Sequence, residues 1–220
     1  MTTPVTVWGV GTTRTLRVHW MLHELGIEYD TRRIESRTGE TQSEAFTRLN
    51  PKQKIPTLVH QTPDGELVLS ESYAILRYLR GIGDLPYDRY QQSTAGKAAY
   101  DEWVSFILME LDATSLYVIR RHKDLPEIYG EAPAAVASCM AYFEKMLGSV
   151  LPKLSADKPV WGSTFSELDI LMTVALDWAD VVGARVAEPA RAYQNTMHER
   201  PAYRAAMKHN FRDLQIQMRP

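Results

Sequence analysis

The stretch TPVTVWGVGTTRTLRVHWMLHELGIEYDTRRI, residues 3–34, decides the fold. From Thr3 to Gly9 the residues alternate, with Val5 and Val7 on one face, as a short strand requires. From Leu16 to Leu25 the period changes. Val18, Met21, Leu22 and Leu25 recur at helical spacing, and Gly26 supplies a C-terminal stop. Glu28 to Ile34 then reads as a second strand. Strand, helix and strand at this spacing form a βαβ unit, with parallel strands and a right-handed crossover.

Outward from this unit the rhythm continues and then changes. Beyond Asn50-Pro51, Pro56–His60 and Glu66–Ser70 flank the turn signal Pro63-Asp64-Gly65 and read as an antiparallel hairpin. Ser72–Arg80 follows as a helix with Ile75, Leu76 and Leu79 on one side. Gly81–Asp88, with Gly81, Gly83 and Pro86, breaks the pattern. From about Thr94 the sequence reads as helices only: Tyr100–Arg121, Ala132–Leu154, Glu167–Ala179 and Arg191–Met207, the last interrupted by Pro201. The expected organisation is an α/β domain over 1–80, a linker over 81–92 and an all-helical domain over 93–220.

The 220 residues are 45% hydrophobic, enough for a sizeable core. A net charge of −2 argues against a protein whose main partner is nucleic acid. Cys139 is the single cysteine, so the chain can form no internal disulfide, which fits a reducing compartment. The opening MTTPVTVWGV does not read as a signal peptide. The apolar stretch Ile170–Ala187 is broken by Asp177, Asp180 and Arg185, so it does not read as a membrane span. Gly9-Val10-Gly11 with Asp30 mimics part of a dinucleotide fingerprint, but Arg14 occupies the third glycine position. His19 and His23 have metal-binding spacing, yet no third ligand is evident, so they are read as packing residues and no metal site is expected.

Four segments carry the chemistry. Asn50-Pro51-Lys52-Gln53-Lys54-Ile55-Pro56-Thr57-Leu58 resembles the NPxGxVPxL segment of the glutathione transferases, with Gln53 in place of the glycine. Leu69-Ser70-Glu71-Ser72-Tyr73-Ala74-Ile75-Leu76-Arg77-Tyr78-Leu79 is similar to that family's [QE]-S-x-A-I-x-x-Y-L. A serine opening a helix offers hydroxyl and N–H groups to an anion, which the helix dipole also favours. Gly11-Thr12-Thr13-Arg14 falls where serine-type members carry the hydroxyl that bonds the glutathione sulfur. Both candidates here are threonines, which can make the same bond or simply cap the helix. Ser166-Glu167-Leu168-Asp169 looks like the family's capping box in the helical domain.

The resemblance implies a thioredoxin-like N-terminal domain before an all-α C-terminal domain. It implies a cis bond before Pro56, with glutathione's cysteinyl backbone pairing on Ile55 like an added strand. Lys54 would sit near the glycine carboxylate, Ser72 would meet the γ-glutamyl carboxylate, and Glu71 the ammonium. Thr12 or Thr13 would contact the sulfur and hold it as thiolate, and Arg14 would add positive charge. One or two of Tyr100, Trp103, Ile107 and Tyr117 would line the pocket of a small hydrophobic electrophile. The implied protein is a cytoplasmic, homodimeric detoxification enzyme with glutathione as co-substrate. Other glutathione-dependent enzymes on the same scaffold, and a non-catalytic binding or stress protein, are the alternatives.

Overall fold

The computed structural model describes residues 4–83, 85 and 93–211. The chain divides into two compact units, one of Met1–Leu85 with Arg200–Pro220, the other of Pro86–Glu199. The division differs from the expected domain ranges at the far end, because residues from Arg200 onward group with the first unit. The expected linker 81–92 starts inside a helix and otherwise lies mostly outside the described residues.

In the first unit, β1 (Val5–Trp8), α1 (Thr13–Leu25) and β2 (Tyr29–Arg32) form the expected βαβ unit. α2 (Glu44–Leu49), β3 (Thr57–Thr62), β4 (Gly65–Ser70) and α3 (Ser72–Ile82) follow. The sheet order is β2-β1-β3-β4, with β1 parallel to β2 and antiparallel to β3, and β3 antiparallel to β4. Val5 and Val7 are buried on one face of β1, while Trp8, pointing to the other, packs on Phe46 of α2 at 5.8 Å between rings. α1 and α3 pack on each other, and α1 also packs on α10 (Pro201–Asn210), the last described helix.

The second unit opens with α4 (Thr94–Ser105), which runs into a π-helical stretch, Phe106–Leu116. α5 (Tyr117–Ile119), a further π-helical turn Arg120–Asp124, α6 (Pro126–Tyr129) and α7 (Pro133–Val150) come next. α8 (Glu167–Val182) is almost wholly buried and precedes α9 (Ala190–His198). The expected capping box starts α8. Ser166 Oγ accepts from the Leu168 amide at 3.3 Å, and Asp169 Oδ2 accepts from the Ser166 amide at 2.8 Å. Asp169 Oδ1 also takes the Tyr193 hydroxyl of α9 at 2.8 Å, so one carboxylate joins two helices.

Among the described residues, one helical run, Pro133–Lys153, is long and apolar enough by length and composition alone to cross a membrane, with a mean hydropathy of 1.2 over its most apolar 18 residues. It carries exposed Glu144 and Lys145 and buries Phe143, Leu147 and Val150, with α7 packing against the π-helical stretch.

Candidate functional site

Strand register assembles the site. Thr57 at the start of β3 pairs with Trp8 at the end of β1 and with Ser70 at the end of β4. The residues just beyond these, Gly9–Thr13, Ile55-Pro56 and Glu71-Ser72, therefore meet at one end of the sheet. Gly9 and Ile55 touch closely: a Cβ built on Gly9, at φ +118°, would lie 2.5 Å from the Ile55 Cβ. Only a residue without a side chain fits there.

The Ile55–Pro56 bond is cis, as the resemblance implies. The turn before it is fixed by Asn50, whose Nδ2 donates to the Lys54 carbonyl and to Thr57 Oγ1, both at 2.9 Å. Among the described residues, no intramolecular hydrogen bond uses the Ile55 amide or carbonyl. This leaves one peptide edge open to an added strand. Lys54 is exposed beside it. Gln53, in the family's glycine position, keeps the left-handed backbone, φ 54°, and its Nε2 donates to Thr47 Oγ1 at 3.0 Å.

Glu71 is a second left-handed non-glycine residue, φ 79°, immediately before α3. Such outliers persist where the surroundings hold them and cluster at ligand sites. Its carboxylate meets Lys52 Nζ at 2.6 Å, both side chains exposed. Ser72 follows, buried at the first turn of α3, and its Oγ accepts from Arg17 Nη1 at 3.3 Å. With a donor already on that oxygen, the serine proton is directed to another acceptor. Arg17 is only 1% exposed, so a buried cation and a helix N-terminus converge on Ser72. The sequence reading missed both Arg17 and Lys52. The available signal for Arg17 was an arginine four positions before Met21 on the buried face of α1.

Thr12 is the N-cap of α1. Its Oγ1 accepts from the Thr15 amide and its amide donates to Thr15 Oγ1, both at 3.0 Å, a reciprocal capping box. The capping role open in the sequence is thus filled by Thr12, whose hydroxyl still has a proton to donate. Thr13, half-buried, is the first residue inside α1, and Arg14 the second. His19 lies beneath this corner. Its Nε2 sits 3.0 Å from the Gly9 carbonyl and its Nδ1 2.9 Å from the Tyr29 hydroxyl. A carbonyl only accepts, so Nε2 carries the proton and Nδ1 accepts from Tyr29. Burial lowers the His19 pKa to about 3. Both nitrogens are committed, and no group of three or more potential metal ligands occurs among the described residues.

The four residues expected near an electrophile all lie in the second unit. Tyr100 is buried and donates to Glu167 Oε2 at 2.7 Å; Ile107 is fully buried. Trp103 is buried edge-on to Phe106 at 6.0 Å. Tyr117 is half-buried, between Trp178 at 6.3 Å and the Arg121 guanidinium at 5.7 Å.

Known proteins share the sequence and the fold. The family model "Glutathione S-transferase, N-terminal domain" matches residues 3–81. Glutathione S-transferase 2 of Anopheles gambiae is 32% identical over 169 residues, covering 76% of this chain and 75% of that protein. Glutathione S-transferase theta-1 of Bos taurus is 31% identical over 153 residues, 68% of this chain but only 62% of the bovine protein's length. Among solved structures, a glutathione transferase homolog from Lodderomyces elongisporus, with two glutathione molecules per subunit, superposes with a TM-score of 0.80 at 19% identity, over 94% of this chain and 98% of that one. A Pseudomonas fluorescens glutathione transferase family member, with two glutathione molecules bound, gives 0.76 at 20% identity over 92% of each chain. The structures show a shared fold. The sequence matches establish that this chain belongs to the glutathione S-transferase family.

Proposed function

We propose that the chain is a glutathione transferase that adds the glutathione thiolate to a small apolar electrophile. The observation that carries the reading is the convergence of Thr12, Ile55 and Ser72 at one end of the sheet. The γ-glutamyl carboxylate sits on the Ser72 hydroxyl and the α3 N-terminus, with Arg17 behind. Its ammonium pairs with Glu71, displacing Lys52. The cysteinyl backbone adds to Ile55 as a strand, and the glycine carboxylate lies near Lys54. This brings the sulfur to the first turn of α1, where the Thr12 hydroxyl donates to it and Arg14 adds positive charge.

A free thiol has a pKa of about 8.5, so a hydrogen bond favouring the anion raises the reactive fraction at neutral pH. The rest of catalysis is placement, since a positioned thiolate needs no separate base. One or two of Tyr100, Trp103, Ile107 and Tyr117 line the electrophile pocket; Tyr117 is the half-buried one, whereas Tyr100, Trp103 and Ile107 are buried in their own unit. A cytoplasmic homodimer is the assembly that the family resemblance supports.

The test is Thr12→Ala and Thr13→Ala, singly and together, with glutathione binding followed by calorimetry and turnover measured on a panel of electrophiles. Thr12→Ala should lower kcat about tenfold with binding retained, the size of one hydrogen bond to a charged group. Unchanged kcat in both single variants and the double variant would remove the sulfur contact. Failure of the native chain to bind glutathione would favour the non-catalytic alternative.

A further inference from the structure

The capping box with Thr15 is not the only restraint on Thr12. The loop before it passes through Gly9 and Gly11 at φ +118° and +78°, a backbone with little intrinsic restraint. The restraint comes from Asn210, the last residue of α10, completely buried and 199 positions from Gly11. The Gly11 amide donates to Asn210 Oδ1 at 3.2 Å and to the Asn210 carbonyl at 3.1 Å. Asn210 Nδ2 donates to the Thr12 carbonyl at 3.0 Å. Thr15 Oγ1 lies 2.8 Å from Asn210 Oδ1. One amide side chain thus grips the Thr12 residue on both sides and the hydroxyl that completes its cap.

These bonds also set a polarity. Thr15 Oγ1 stands 2.8 Å from both Asn210 Oδ1 and the Thr12 carbonyl, which also accepts from the Leu16 amide and Asn210 Nδ2 at 3.0 Å. The Thr15 proton is therefore spent on one of these two oxygens, and Thr15 Oγ1 accepts from the Thr12 amide. At the 3.0 Å contact between the two threonine hydroxyls, only Thr12 has a proton left to give. A neutral hydroxyl is a weak acceptor compared with a thiolate, so an anionic sulfur captures that proton. α10 is itself locked to α1. Arg200 bridges to Glu24 at 2.7 and 2.8 Å, Tyr203 packs edge-on to Trp20 at 4.9 Å, and His209 lies tilted against His19 at 4.8 Å.

We propose that Asn210 is a positioning residue for the thiolate: it holds Thr12 as the hydrogen-bond donor to the glutathione sulfur. The inference rests on the reading that Thr12 meets the sulfur. The experiment titrates the thiol of glutathione bound to the protein, by the ultraviolet absorbance of the thiolate, in Thr12→Ala, Asn210→Ala and the double variant. Asn210→Ala should raise the bound thiol pKa by about one unit, as loss of one bond to the anion would, with glutathione affinity within about twofold of the native value. It should add nothing in the Thr12→Ala background. A shift in Thr12→Ala without one in a folded Asn210→Ala overturns the role of Asn210 and leaves the sulfur contact standing. No shift in Thr12→Ala overturns both. If Asn210→Ala does not fold, Thr15→Val decides. It is nearly isosteric, leaves α10 intact and removes the hydroxyl between Asn210 and Thr12. An unchanged thiol pKa in Thr15→Val overturns the proposal, and a raised one supports it.

Discussion

The Ile55–Ser72 side of the site and the Gly11–Thr15 side are held in opposite ways. On the first, most restraints are near in sequence: Asn50 ties Lys54 and Thr57, Gln53 ties to Thr47, and Lys52 meets Glu71, with Arg17 on Ser72 the long-range exception. On the second, the restraint arrives from Asn210 and, below it, from His19 and Tyr29. The first side offers a ligand mainly backbone groups, so a short motif suffices to build it. The second carries one hydroxyl on a glycine-rich loop, where the local cap from Thr15 is itself held by tertiary contacts. In the proposed reading, the difference separates binding, assigned to the motif side, from reactivity, assigned to the tethered side.

Gly9 is where the two sides touch, and its substitution should have the largest effect. In Gly9→Ala the new Cβ meets Ile55 at 2.5 Å, and the residue keeps a φ of +118° that alanine disfavours. The expected loss is about 2–4 kcal/mol of stability, read from urea unfolding, together with weaker glutathione binding because Ile55 must shift. Native-like affinity in a folded Gly9→Ala protein would show that the two sides move independently.

Acid should strike the tethered side next. His19 is held neutral with its pKa lowered from 6.5 to about 3, chiefly by burial. Between those values the unfolded chain binds a proton that the folded chain does not, so stability rises with pH and is lost as pH falls below about 6.5. By about pH 4.5 this group alone should cost about 2–3 kcal/mol. His23, also lowered by burial, acts in the same direction. His19→Gln should flatten the slope of stability against pH between neutrality and pH 4.5. An equally steep slope in the variant would place the acid sensitivity elsewhere.

This contrast also accounts for what could be read from the sequence. Period-2 and period-3.6 patterns marked β1, α1, β3, β4 and α3, and the two motifs marked Ile55-Pro56 and Glu71-Ser72, because each is written in consecutive residues. α2 escaped because six residues bury only Phe46, too little for a period. The π-helical stretch Phe106–Leu116 was read as ordinary helix, since its bonds reach one residue further and its apolar spacing stays similar. The grouping of α10 with the first unit, the buried Arg17 beneath Ser72 and the Asn210 clamp are contacts between distant residues. No local pattern encodes them.

On the motif side a smaller effect is expected at Ser72. Ser72→Ala removes the acceptor of Arg17 Nη1 and the hydroxyl offered to the ligand carboxylate. Glutathione KM should rise about tenfold with kcat at saturation nearly unchanged, the signature of lost ground-state binding. A fall in kcat with KM constant would mean that this side also sets reactivity, and the division between the two sides would fail.

The smallest effect is expected at Gln53. A non-glycine residue at φ 54° bears a cost of about 1–2 kcal/mol that glycine would not. Gln53→Gly relieves that cost, but it loses the bond to Thr47 and loosens the unfolded chain, about 0.5–1 kcal/mol each. The terms nearly cancel, so stability should stay within about 1 kcal/mol of native. Gln53→Val keeps the left-handed backbone, adds a β-branch and loses the same bond, so it should lose roughly 2 kcal/mol. If the Ile55 edge is recognised through backbone alone, both variants that remain folded should bind glutathione as the native chain does. A glycine variant that binds several-fold more weakly would show that the Gln53 side chain, and not only the turn it occupies, shapes the edge.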